Sequence, residues 1–152
     1  MRRTPRHGLS NSHSKELEQC GLAARLKARC PVTFSQPHSN AFQQLEFVGD
    51  AFLAAELSLW LVSSPLFAHA TEHLLSTMCN RMACNAHLCY VYDVLELGLV
   101  TLDQPQSTKA KADVVEAAIG ELSMAGGPEA VQLRAELIGT ISSLLLNSLL
   151  AP

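Results

Sequence analysis

Residues 43–51 read QQLEFVGDA and residues 109–127 read KAKADVVEAAIGELSMAGG, and the fold turns on how these two stretches are understood. On a helix, Glu46 and Asp50 are four residues apart and project from one face, one turn from each other. Asp113 and Glu116, three apart, do the same on a second helix. Each pair lies among apolar residues expected to be largely buried: Leu45, Phe47, Val48 and Phe52 around the first, Val114, Val115, Ala117 and Ile119 around the second. A single pair reads most simply as a solvated stripe, the usual fate of carboxylates. Two pairs on two apolar helices suggest instead that four carboxylates converge. A hard divalent cation with oxygen ligands would relieve their repulsion. Mg²⁺ fits best, because it retains water and leaves coordination positions for a phosphate. Gly49 and Gly120 sit beside the acids, where glycine normally weakens a helix, and so predict a close approach of the two helices.

Outward from these stretches the helical period recurs and strand alternation is nearly absent, so the chain should be all-α. Helices are expected at about 15–29, 40–63, 71–97, 108–124 and 129–149. Pro31 and Pro37 bracket the first loop, Ser63-Ser64-Pro65 ends the second helix, Pro105 lies in the loop from Gly98 to Ser107, and Gly126-Gly127-Pro128 makes the last turn. A chain of 152 residues holds one compact domain, expected over residues 15–152 behind a basic arm of residues 1–14. The most apolar run, Ala51 to Val62, is interrupted by Glu56 and too short to span a bilayer, so no membrane span is expected.

Charge is uneven. Residues 1–30 hold seven of the eleven Lys and Arg against Glu16 and Glu18, a net of +5, leaving −8 for the remainder of a chain whose net charge is −3. An acidic body suits a polyanion poorly, so the basic arm, a bound metal or a partner must supply positive charge. The arm, MRRTPRHGLSNSHS, has Arg, Ser and His but no acid, which fits either a transit segment for mitochondrial import or a solvated tail. Five cysteines without a CxxC spacing indicate reduced intracellular thiols, not a disulfide framework. Cys84, His87 and Cys89 could hold zinc, but Leu88 and Tyr90 beside them read as core packing.

The stretch Gln43 to Ala51 resembles the ribonuclease III signature E-R-L-E-F-L-G-D-A/S, and Lys109 to Gly127 resembles that family's K-x-L-A-D-x-x-E-A-L-I-G-A-x-Y-L-D-G-G. Between them, Leu75 to Leu88 is similar to the helix L-S/T-x-x-R-x-x-L-V-N-N-x-x-L, and Thr33-Phe34-Ser35 falls where a T-H-x-S turn precedes the signature. The resemblance spans about residues 16–149 and keeps both acidic motifs without a gap. It departs at Gln43 for the signature Glu, Gln44 for the signature Arg, Cys79 for the middle-helix Arg, and Met124-Ala125 for the usual Leu-Asp.

The resemblance implies a compact helical bundle that works as a two-fold dimer, with Glu46, Asp50, Asp113 and Glu116 as catalytic residues binding Mg²⁺, for which Mn²⁺ can substitute. Gln43, Glu72 and Lys109 are secondary site candidates, and Phe47 would insert into a pocket of a second subunit. The implied activity is endonucleolytic hydrolysis of double-stranded or structured RNA, leaving 5′-phosphate and 3′-hydroxyl ends. With no second RNA-binding module in the sequence, affinity is expected from a homodimer or a heteromeric partner, in precursor processing and in a mitochondrial setting. The alternative is a non-catalytic scaffold subunit of a ribosomal or RNA-editing complex. A helical pyrophosphohydrolase would need an ExxE motif and a ferritin-like protein ExxH motifs, and neither is present.

Overall fold

The structure is a computed structural model and describes residues 21–98, 105 and 107–152. The basic arm, the expected start of the first helix and most of the loop around Pro105 lie outside the described residues. Within them every regular element is a helix, as expected: α1 (21–29), α2 (Pro31–Ser35), α3 (Asn40–Ser63), a 3-10 turn (Pro65–Phe67), α4 (Glu72–Ala83), α5 (Asn85–Val94), α6 (Thr108–Ala125) and α7 (Pro128–Leu150).

Helix α6 is the axis of the fold. Nine consecutive residues, Val114 to Leu122, are buried, so this central part of the helix is enclosed by its neighbours. Helices α2, α3, α5 and α7 pack around it, with the largest contact to α3. Ser107 caps its start by accepting from Ala110 N at 3.0 Å. Gly126 (φ 66°) and Gly127 (φ 85°) end it in backbone conformations that L side chains rarely adopt. Pro128 then opens α7 at a first-turn position, where its missing N–H costs nothing.

Helix α3 runs over the expected 40–63. Ser39 caps it through Phe42 N at 3.1 Å, and Ser64-Pro65 stops it. Its buried residues are Phe42, Gly49, Leu53, Leu57 and Leu61. The expectation that Phe47 and Phe52 are core residues is corrected, since they are 80% and 39% exposed. Both lie off the stripe that faces α6.

Two further corrections concern elements. The expected single helix over 71–97 is two helices, broken at Cys84, whose ψ of 152° is extended. The halves serve different partners, α4 packing mainly on α3 and α5 on α6 and α7. No Pro or Gly marks the break. The loop expected between Pro31 and Pro37 contains the short helix α2, whose first N–H groups are satisfied from far away: Glu121 on α6 accepts from Val32 N (2.9 Å), Thr33 N (2.8 Å) and the Thr33 hydroxyl (2.7 Å).

The expectation of no membrane span rested on the run Ala51 to Val62, whereas the 23 residues of helix α7 are long and apolar enough by length and composition to cross one. Here it forms one wall of the core, burying Ala130, Leu133, Leu137, Ile138, Ile141 and Leu145. Polar links fix it to neighbours: Glu136 to Arg25 of α1 (2.6 Å), Arg134 to Glu56 of α3 (3.3 Å), and Glu129 to Arg29 of α1. Such partly exposed pairs set orientation more than stability.

Candidate metal centre

Helices α3 and α6 meet at their two glycines. A Cβ built on Gly49 would lie 1.7 Å from the carbonyl oxygen of Glu116, and one on Gly120 would lie 1.9 Å from that of Leu45. The contact is reciprocal, 49 against 116 and 45 against 120, so the helices cross antiparallel, backbone on backbone. The expectation of a close approach holds. Only hydrogen fits between each glycine and the opposing carbonyl.

This crossing delivers the acids. Carboxylate oxygens of Glu46, Asp113 and Glu116 all lie within 4.8 Å of one another, the one group of three or more metal-ligating side chains found among the described residues. Ligands about 2.1 Å from Mg²⁺ lie at most about 4.2 Å apart, so the three need move only slightly to share one cation. Asp50 lies outside this group, although it lines the same cleft. The cleft has a volume of about 620 Å³ and is walled also by Gln43, Phe47, Lys109, His38, Phe42 and Asn85.

The electrostatics are those of a site with too much negative charge. Glu116, 8% exposed, is held at a pKa of about 7, first because burial disfavours its charged form and then because Asp50, Asp113 and Glu46 repel it. Glu46 is raised for the same reasons, burial first and Asp113 next. Lys109 relieves part of this, its ammonium donating to both oxygens of Asp113 (2.8 and 2.9 Å) and approaching Glu46 (3.5 Å). Those contacts raise the pKa of Lys109, the hydrogen bond to Asp113 most. A divalent cation fits this donor set: the ligands are hard oxygens, close together, and repel one another without it.

Of the secondary candidates, Gln43 and Lys109 line the cleft, while Glu72 is exposed in the first turn of α4 and does not. The Cys84, His87 and Cys89 group does not form a zinc site. The buried His87 ring donates from Nε2 to Ile141 O at 2.7 Å, Cys84 Sγ turns to Arg81 O at 3.3 Å, and burial lowers the His87 pKa.

Three residues escaped the sequence reading. Asn85 falls inside the stretch Leu75 to Leu88, so its signal was present. His38 and Phe42 carry no motif that could have marked them. Glu121, just over one turn beyond Glu116 on α6, is committed by both its oxygens to α2.

With this arrangement of helices and acids in view, the comparison with known families is direct: the ribonuclease III domain model matches residues 43–127. The chain belongs to the ribonuclease III domain family, a domain that implies endoribonuclease activity. No curated protein matches it significantly.

Proposed function

We propose that this chain is a Mg²⁺-dependent endoribonuclease that hydrolyses phosphodiester bonds in double-stranded or structured RNA. The observation that carries this reading is the convergence of Glu46, Asp113 and Glu116 in an open cleft, in a chain of this family. These three, with Asp50 beside them, are the proposed catalytic residues and would hold the cation. Bound there, Mg²⁺ or Mn²⁺ supplies polarisation of a phosphoryl oxygen and activation of water. Glu116 takes and releases a proton near neutrality, so its charge responds to cation loading. Lys109 holds Asp113 and Glu46 in place and offsets their charge. The products are 5′-phosphate and 3′-hydroxyl ends.

The working form is proposed to be a two-fold pair in which Phe47, 80% exposed at the edge of the cleft, enters a second subunit. Pairing places two clefts across one duplex, each addressing one strand. A-form RNA would then be recognised by shape and 2′-hydroxyls. The acid-free, basic composition of residues 1–14 supports a mitochondrial setting in RNA precursor processing, tested by the location of a fluorescent fusion with and without that segment.

The deciding experiment is cleavage of a labelled RNA duplex in Mg²⁺ by the wild type beside Glu46→Gln and Glu116→Gln. Cleavage by the wild type is the expected result, with both variants slowed by more than the about 10–100-fold that losing an outer-shell partner of a metal ligand costs. A folded wild type that binds RNA and cuts nothing would overturn the enzyme and favour a scaffold role.

A further inference from the structure

The cleft contains more carboxylates than a polyanion should tolerate, and a metal is one part of the remedy. Among the described residues, the side chains on its wall able to carry positive charge are Lys109 and His38. Lys109 is engaged by Asp113 and Glu46. Gln43 and Asn85 are neutral. His38 is exposed, and an imidazole offers an N–H donor in either protonation state.

The backbone of His38 is in the left-handed region, φ 63°, which few non-glycine residues occupy and for which His is among the tolerated types. The turn imposes this. Ser39 folds back on Gln36, its N–H and hydroxyl donating to Gln36 O at 3.3 and 2.8 Å, while the same hydroxyl accepts from Phe42 N to start α3. The turn itself follows α2, which Glu121 ties to α6 through three hydrogen bonds. Since α6 also carries Asp113 and Glu116, the imidazole and the acids are borne on one frame. Strained residues of this kind gather where a side chain must be aimed.

Resting on the endonuclease reading, we infer that His38 is a substrate-positioning residue, donating a hydrogen bond to a phosphate of the RNA backbone in the cleft. Phosphate contacts fix register and orientation without reading sequence, so His38 sets how firmly the duplex is held against the acids rather than which sequence is chosen.

The test uses the full chain and a labelled RNA duplex, with steady-state cleavage in Mg²⁺ and equilibrium binding in Ca²⁺. The variants are His38→Gly, which adopts positive φ freely and removes the donor, and His38→Arg, which supplies a longer one. The expected result for His38→Gly is a KM and a Ca²⁺-state Kd about tenfold higher, near the worth of one charge-assisted hydrogen bond. Its kcat should be nearly unchanged and its melting temperature held or raised, with His38→Arg recovering most of the binding. An unchanged KM in His38→Gly, or a fall in kcat alone, overturns the inference while an active wild type leaves the endonuclease reading intact. A wild type that neither binds nor cuts the duplex removes both.

Discussion

Glu116 couples the chemistry of the site to the stability of the fold. Its unfolded-state proton leaves near pH 4.5 and its folded-state proton near pH 7, so between those values the folded protein holds the extra proton and rising pH favours unfolding. The effect is on the order of 3 kcal/mol, present below the lower value and lost by the upper. In metal-free protein, the melting temperature should therefore fall between pH 4.5 and 7 relative to Glu116→Gln; parallel curves for the two proteins would refute this. Cation binding must displace the same proton, so Mg²⁺ affinity, read by calorimetry, should rise with pH up to about 7 and then level. The four proposed acids were legible from sequence because their spacing within each helix is local. Their unequal standing was not: Asp50 lies outside the group of three and Glu116 is the buried one, since depth depends on how two distant helices cross.

At the scale of elements, the crossing of α3 and α6 rests on two hydrogens. Gly49→Ala or Gly120→Ala forces a methyl into an opposing carbonyl, which backbone cannot absorb by changing rotamer. Each should cost about 3 kcal/mol or more, judged against ordinary overpacking, in chemical denaturation; a loss under about 1 kcal/mol would mean the helices separate easily. Glu121→Ala leaves the Val32 and Thr33 donors without their acceptor and should destabilise by about 1–3 kcal/mol. These examples also mark what sequence could reveal. Helices α3, α6 and α7 were readable to within a residue or two because caps, prolines and glycines punctuate them. The break at Cys84 and the helix at Pro31–Ser35 were not, because one follows from packing on different partners and the other from a carboxylate some 88 residues away.

For the whole molecule, the outward side of α3 remains apolar, with Phe47, Leu59 and Val62 each more than 60% exposed. Phe47→Asp should shift the sedimentation coefficient from dimer to monomer and leave the melting temperature of the monomer nearly unchanged, because the ring is outside the core. A wild type that sediments as a monomer at all accessible concentrations would remove the pairing. The glycine crossing also fixes where the chain can change length. One residue inserted between Leu45 and Gly49, or between Glu116 and Gly120, turns the helix by about 100° and carries one glycine off its carbonyl. The segment after α3, Ser64 to Thr71, takes no part in either contact. Lengthening there leaves the antiparallel register intact, so relatives of this protein should differ in length between their two acidic motifs and hardly ever within them.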